Sequence, residues 1–395
     1  MISAEPAYPL ATTTWDDAEY AAIRRVTDSG RFTMGPLVKE FEAGFAAHFG
    51  STYGVMVNSG SSANLIAVAA AVLDPRIDLA RGDEVIVPAV SWPTTYYPLT
   101  QYGLRPRFVD IDLDTLNVDL DLLEQAIGPR TKAVFAVNLL GNPNDFTRLR
   151  EITERHGLVL LEDNCESLGA ISDGIAAGTA GLAGTFSSFF SHHIATMEGG
   201  IILTDDEQLY QEMLSLRSHG WTRDLPDENH VHDKSGNAWE DLFRFVLPGY
   251  NVRPLEMEGA LGLEQLKKIP ALIAGRRENA KYFQERFADI SSVRLQKETG
   301  QSSWFGFSLV LEGALAGRRS DLIAAFGEAR IESRPIVAGN FTRNPVMAHL
   351  DAIVPEALPA ADKVHLDGLF VGNHHYPVTD GIDLVAETVE RVARS

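Results

Sequence analysis

The chain has 395 residues, 45% of them hydrophobic, and 34 basic against 54 acidic side chains give a formal net charge of −20. This length predicts a large domain and a smaller one. The acidic balance argues against nucleic acid or an anionic membrane as a partner, because both reward clustered lysine and arginine. The single cysteine, Cys165, excludes an intramolecular disulfide and a four-cysteine iron–sulfur cluster.

The N-terminal segment has no basic region followed by an apolar core, so no signal peptide is expected. No stretch of the sequence is apolar for long enough to cross a membrane. We therefore expect a cytoplasmic protein without a membrane partner.

The first two-thirds of the chain shows the pattern of an α/β fold. Amphipathic helices are predicted at 16–28 and 37–49. Short apolar runs then alternate with helical stretches: the runs lie at 55–57, 84–88, 107–110, 132–138 and 158–162, and the helices include 63–73, 120–127 and 145–156. This alternation indicates parallel strands with crossover helices.

A helix and a long loop follow these elements, and the pattern changes after Pro254. A helix at 205–219 precedes a polar, irregular stretch at 220–249, which we interpret as a functional loop because motif-bearing segments flank it. Beyond it we predict helices at 255–268, 271–287, 321–328 and 383–393 and a strand at 307–311. We place a large domain at 1–268 and a small α+β domain at 269–395.

Three segments that follow predicted strands carry candidate site residues. Asn58-Ser59-Gly60-Ser61-Ser62 precedes a helix, so its N–H groups and hydroxyls can hold a phosphate, although serines are also ordinary helix caps. Asp163 ends an apolar run, at the strand end where α/β folds bind ligands. Trp92 follows another strand and offers a flat ring for stacking, although a partly buried aromatic is the ordinary interpretation.

The stretch TFSSFFSHHIATMEGG, residues 185–200, contains two adjacent histidines. Neighbouring residues of an extended segment point to opposite faces, so His192 and His193 would chelate one metal ion poorly. No metal site is expected.

This stretch resembles the cofactor-lysine segment of the DegT/StrS-type sugar aminotransferase and dehydratase family, within the aspartate aminotransferase superfamily. There S-F-x-x-x-K precedes a short spacer and E-G-G. Ser187 and Glu198-Gly199-Gly200 match, but His192 occupies the lysine position. The resemblance implies a three-layer pyridoxal phosphate-dependent transferase fold (fold type I) with a mostly parallel central sheet and a smaller C-terminal α+β domain.

The resemblance also assigns candidate cofactor contacts. It implies that Gly60, Ser61 and Ser62 hold the phosphate of pyridoxal phosphate and that Trp92 stacks on the cofactor ring. It also implies that Asp163 pairs with the ring nitrogen and that Glu166 lies near the ring hydroxyl. Ser187 and Asn251 complete the set. Asn251 would reach the phosphate bound by a neighbouring subunit. This implies a homodimer with shared active sites.

The histidine at position 192 changes the expected reaction. A lysine would hold pyridoxal phosphate covalently, whereas histidine can act only as a general base. The resemblance then implies a 3-dehydratase. Pyridoxamine phosphate, bound non-covalently, condenses with a nucleotide-linked 4-keto-6-deoxy sugar, and the resemblance favours GDP-4-keto-6-deoxymannose as that sugar. His192 then takes a proton, and the C3 hydroxyl is lost. L-Glutamate restores the amine, and no iron–sulfur cluster takes part.

The segments HGWTR, ESRPIV and GNHHY extend the resemblance and make His219, Arg223 and Arg334 candidate substrate residues, since guanidinium groups fit phosphates. Two alternatives stay open. One is a nucleotide-sugar 4-aminotransferase that uses another lysine, for which Lys234 is the candidate, and the other is a non-catalytic family member. It is also open whether the nucleotide is GDP, dTDP or CDP. The sugar configuration and the pathway are open as well.

Overall fold

The computed structural model describes residues 5–395, apart from the side chain of residue 238. The α-helices are α1 (Asp17–Ser29), α2 (Pro36–Phe49), α3 (Gly60–Leu73), α4 (Pro93–Gln101), α5 (Leu120–Gln125), α6 (Phe146–His156), α7 (Glu207–Leu216), α8 (Ala238–Asp241), α9 (Glu256–Phe287), α10 (Arg319–Glu328), α11 (Pro359–Asp367) and α12 (Thr379–Arg394). The strands are β1 (Tyr53–Val57), β2 (Glu84–Pro88), β3 (Arg105–Val109), β4 (Thr131–Val137), β5 (Val159–Asp163), β6 (Ile171–Ser172), β7 (Ile175–Ala176), β8 (Ala183–Ser187), β9 (Gly200–Thr204), β10 (Val293–Arg294), β11 (Gly306–Leu311), β12 (Ser333–Arg334) and β13 (Gly368–Gly372).

The large part of the molecule is built on a seven-stranded sheet in the order β1-β9-β8-β5-β4-β2-β3. β8, β5, β4, β2 and β3 run parallel, and β9 lies antiparallel to both β8 and β1. The predicted, mostly parallel sheet is therefore confirmed. It brings the carboxyl ends of β4, β5 and β8 to one edge.

Helices cover both faces of this sheet, because alternate side chains of each strand point to opposite sides. In β2, Val85 and Val87 pack in the cluster that contains α3 and α4, whereas Ile86 between them packs with α5 and α6. The result is the three-layer arrangement of helix, sheet and helix expected from the sequence.

A second, four-stranded antiparallel sheet has the order β10-β11-β13-β12 and packs on α10 and α12 around its own apolar cluster. The two helices predicted at 255–268 and 271–287 are one continuous helix, α9. Pro270 removes a helical hydrogen bond at a cost of about 3 kcal/mol. Its neighbours Ile269, Leu272 and Ile273 are buried in an apolar cluster that includes residues of α2, and burial of each contributes about 1.5–3 kcal/mol. The proposed domain division at 268/269 falls inside α9 and stays a prediction.

Within residues 5–395 we find no helix that combines the length and the apolar character needed to span a membrane.

Candidate active site

A cavity of about 390 Å³ opens where β4, β5 and β8 end, at the start of α3. Seven of the residues predicted from the sequence line it: Gly60, Ser61, Trp92, Asp163, Glu166, Ser187 and His192. The carboxyl ends of parallel strands are the usual ligand position in α/β folds. The structure therefore brings most of the predicted cofactor residues into one pocket.

Part of the cavity lining is formed by the first turn of α3. The cap residue Ser59 accepts a hydrogen bond from the backbone N–H of Ser62 at 3.1 Å, and the Ser62 hydroxyl donates to Oδ1 of Asn58 at 2.7 Å. Ser62 therefore builds the cap and does not line the cavity, whereas Ser61 does. A Cβ atom on Gly60 would lie 2.6 Å from Cβ of Ser187, so only glycine fits this close approach.

Asp163 also lines the cavity, at the last position of β5, and is 5% exposed. Its Oδ2 accepts hydrogen bonds from Asn64 and Thr95, both at 2.8 Å, and its Oδ1 accepts the backbone N–H of Cys165 at 3.1 Å. The sequence reasoning missed Asn64 and Thr95. The one available signal was an asparagine within the apolar helix at 63–73.

His192 lines the same cavity. Its Nδ1 lies 2.5 Å from the carbonyl oxygen of Cys165, so Nδ1 carries the proton and Nε2 keeps its lone pair. Burial lowers the pKa of His192 to about 4. The imidazole is therefore neutral at pH 7, with a free basic nitrogen.

His193 has a different environment. It is 1% exposed, and its Nε2 lies 3.1 Å from the carbonyl oxygen of Ser303. The two adjacent histidines thus bind different parts of the chain. Among residues 5–395, no group of three or more His, Cys, Asp or Glu side chains is arranged to hold a metal ion.

Glu166 lines the cavity next to Asp163. Its Oε2 accepts the backbone N–H of Leu140 at 3.0 Å. Burial raises the pKa of Glu166 to about 7; the Leu140 N–H opposes this rise and the charge of Asp163 adds to it. At neutral pH this carboxyl group can therefore donate or accept a hydrogen bond.

Four other predicted residues do not line the cavity of this chain. Oδ1 of Asn251 accepts a hydrogen bond from Nε of Arg253 at 3.0 Å, and the backbone N–H of His219 donates to Tyr250 at 2.7 Å. The Arg223 guanidinium lies 4.8 Å from the centre of the Trp221 ring. Arg334 is exposed and donates to the carbonyl of Ser333.

The lysine of the alternative interpretation also lies elsewhere. Nζ of Lys234 donates to the carbonyl oxygen of Leu225 at 2.8 Å and pairs with Asp227 at 3.2 Å. No lysine is found among the described residues that line the cavity.

The residues present fit a pyridoxal-type cofactor. The cavity offers backbone N–H groups and a serine hydroxyl for a phosphate, an indole ring that is 58% exposed for stacking, and a buried carboxylate for a ring nitrogen. These are the kinds of group that a flat, phosphorylated pyridine requires, and they line one cavity.

Comparisons with known proteins agree with this geometry. A model of the DegT/DnrJ/EryC1/StrS aminotransferase family matches residues 14–390. A GDP-4-keto-6-deoxy-D-mannose 3-dehydratase of Yersinia pseudotuberculosis is 55% identical over 377 residues, which cover 95% of this chain and 96% of the relative.

Two solved structures are similarly close. A crystal structure of GDP-4-keto-6-deoxymannose-3-dehydratase with a trapped PLP–glutamate geminal diamine is 54% identical, with a TM-score of 0.95, and covers 97% of this chain and 100% of its own. A histidine-to-asparagine mutant of an enzyme of the same name, with bound GDP-perosamine, is 54% identical, with a TM-score of 0.94 and coverage of 97% and 100%.

Proposed function

The chain belongs to the DegT/DnrJ/EryC1/StrS aminotransferase family, and on that premise we propose that it is a pyridoxal phosphate-dependent 3-dehydratase of GDP-4-keto-6-deoxy-D-mannose. Its fold is that of the pyridoxal phosphate-dependent aminotransferases. The observation that carries the proposal is His192 with a free Nε2 in a cavity that otherwise fits the cofactor, with no lysine among the described lining residues.

The cofactor site is built from residues that line the cavity. The N–H groups at the start of α3 and the Ser61 hydroxyl would hold the phosphate, Trp92 would stack on the ring, and Asp163 would pair with the ring nitrogen. When bound as pyridoxamine phosphate, the cofactor supplies an amine for the C4 ketone of the sugar and a protonated pyridine that accepts electrons. Relatives bind pyridoxal phosphate and its glutamate adduct, and we assign L-glutamate here as the donor that restores the amine.

His192 acts as the general base of this reaction. Its low pKa keeps Nε2 unprotonated at neutral pH, and the Cys165 carbonyl holds the proton on the other nitrogen. Nε2 is therefore ready to accept a proton from the carbon that carries the cofactor amine. An imidazole cannot hold the cofactor covalently as a lysine does, so the cofactor stays non-covalent. Loss of the C3 hydroxyl, and not transamination at C4, is the outcome that this site favours.

We further propose a homodimer in which each site takes residues from both chains. Asn251 does not line the cavity of its own chain, and it contacts Arg253 beside the Arg223–Trp221 pair. Neither arginine forms an ion pair with a described carboxylate. Such a surface suits the phosphates of a nucleotide sugar bound by the neighbouring subunit. We propose that His219, Arg223 and Arg334 contact the substrate. A cytoplasmic location stays a prediction.

Shared sites can be tested by complementation. His192→Asn and Asn251→Ala homodimers should both be nearly inactive, whereas mixed dimers should recover activity, because one of their two sites then has both residues intact. Absence of recovery in verified mixed dimers would refute the sharing of sites through Asn251.

The function itself is tested by borohydride reduction of the protein loaded with pyridoxal phosphate, followed by intact mass measurement. We expect an unmodified mass and a cofactor that glutamate converts to the amine form. With GDP-4-keto-6-deoxymannose and glutamate we expect ammonia and the 3-deoxy sugar as products. A covalent pyridoxyl adduct would instead favour the 4-aminotransferase alternative, and peptide mapping would show whether Lys234 carries it.

A further inference from the structure

The carboxylate of Asp163 is held by buried side chains to which the mechanism above assigns no part. Nδ2 of Asn64 and Oγ1 of Thr95 both donate to the same oxygen, Oδ2, at 2.8 Å. Asn64 is 1% exposed and Thr95 is 0% exposed. A carboxylate oxygen has about two lone-pair positions, so these two donors saturate Oδ2.

Each hydrogen bond in this group has a fixed direction. An ionised carboxylate only accepts, so Thr95 gives its single hydroxyl proton to Asp163 and accepts from the Ser91 hydroxyl at 2.8 Å. On the other side, Oγ1 of Thr185 donates to Oδ1 of Asn64 at 2.5 Å. That bond orients the Asn64 amide with its NH₂ group toward Asp163. Both donors are therefore held in place by further buried groups.

The donors come from elements that also build the rest of the site. Asn64 lies four residues after Gly60 on α3, so the two share one face of the helix. Thr95 lies in the first turn of α4, three residues after Trp92. Thr185 lies opposite Asp163 in the register of β5 and β8. The orientation of the Asp163 carboxylate thus depends on α3, the helix whose first turn would bind the cofactor phosphate.

We infer that Asn64 and Thr95 are positioning residues, which aim Oδ1 of Asp163 into the cavity as the partner of the pyridine nitrogen. Oδ1 accepts the Cys165 N–H at 3.1 Å and receives no hydrogen bond from Asn64 or Thr95, so it keeps a lone pair for the ring nitrogen. The inference rests on the proposed function, because it requires a pyridine cofactor. Without the two donors the carboxylate is free to rotate away from the ring. Its negative charge then stabilises the protonated ring nitrogen less, and the pKa of that nitrogen falls.

The test measures the protonation of the ring nitrogen directly. Pyridoxamine phosphate labelled with nitrogen-15 in the ring is bound at saturation to the apo-protein, without sugar, and its chemical shift is followed against pH. Thr95→Val and Asn64→Leu remove a donor at nearly constant shape. We expect the titration midpoint to fall by about one pH unit in each, equivalent to ~1.4 kcal/mol. In turnover, kcat should fall with little change in KM for the sugar.

Two further variants separate positioning from general packing. Thr95→Ser keeps the hydroxyl donor and should retain the wild-type midpoint. Thr153→Val removes another buried hydroxyl, which bonds only to carbonyls of its own helix α6, and should also leave the midpoint unchanged.

A wild-type midpoint in Thr95→Val would overturn the inference. If Asn64→Leu does not fold, Thr95→Val decides alone, since valine and threonine have nearly the same volume. Because the titration contains no sugar, its result does not depend on the reaction catalysed. A wild-type protein without dehydratase activity would refute the proposed function and leave the result for Asn64 and Thr95 intact.

Discussion

Replacement of His192 by asparagine should separate proton transfer from cofactor binding. In the structure, Nδ1 of His192 contacts the Cys165 carbonyl, and the amide nitrogen of asparagine reaches a similar position. The contact that holds the loop is therefore kept, while Nε2 is lost. A general base contributes roughly 10²–10⁴-fold to a rate, so the dehydration rate should fall by that factor, which equals ~2.7–5.4 kcal/mol of transition-state stabilisation.

The assay is ammonia release from GDP-4-keto-6-deoxymannose with the enzyme preloaded with pyridoxamine phosphate, together with a binding titration of the cofactor. The dissociation constant of the cofactor should change less than about threefold, well under 1.4 kcal/mol. His156→Asn, on α6 at the other face of the sheet, is the matched control and should retain the wild-type rate. Dehydration at the wild-type rate by the His192→Asn protein would refute the assignment of the base.

The remaining predictions concern the same cavity. His192→Lys should form a covalent bond with pyridoxal phosphate, visible as a borohydride-stable mass increase; an unmodified mass would show that position 192 does not face the cofactor carbon. Gly60→Ala should weaken pyridoxal phosphate binding at least tenfold, because the added Cβ would lie 2.6 Å from Cβ of Ser187. Equilibrium dialysis measures this affinity, and an unchanged value would contradict the close approach of Gly60 to Ser187. The pKa of Glu166 is raised to about 7, so its protonated, hydrogen-bond-donating form is lost as the pH rises through 7. If that form supports activity, kcat/KM should decline above pH 7 in the wild type, and Glu166→Gln, a permanent donor, should remove the decline.

The sequence predicted the residues that lie at the ends of strands. Asp163, Ser187 and Gly60 each end a strand or begin the following helix, and parallel strands necessarily bring such positions to one edge of the sheet. Knowledge of the strand order was not needed for that conclusion. His192 was identified because it replaces a lysine within an otherwise matching motif.

The residues behind Asp163 could not be predicted in this way. Asn64 and Thr95 lie on two different helices, and their meeting at one oxygen depends on how α3 and α4 pack on β5. The sequence contains no period or motif that encodes this contact. Ser62 shows the same limit at a shorter range, because helix-capping and phosphate-binding serines have the same local pattern until the side-chain rotamer is known.

The continuity of α9 was also beyond the sequence pattern. Pro270 is an ordinary signal for a helix end, and it lies between the two helices predicted at 255–268 and 271–287. The structure shows one continuous helix, and the apolar side chains beside Pro270 are buried in a cluster that also contains residues of α2. A tertiary contact of this kind overrides a local preference without leaving a mark in the local sequence.

The hydrogen bond between His192 and residue 165 uses a main-chain oxygen, not the thiol of Cys165. Every amino acid has that oxygen, so a substitution at position 165 that keeps the backbone path also keeps the tautomer of His192. The tautomer of His192 therefore does not depend on the side-chain chemistry of residue 165. A comparison of side chains alone would not identify the group that sets the tautomer of His192, because that group is a main-chain carbonyl.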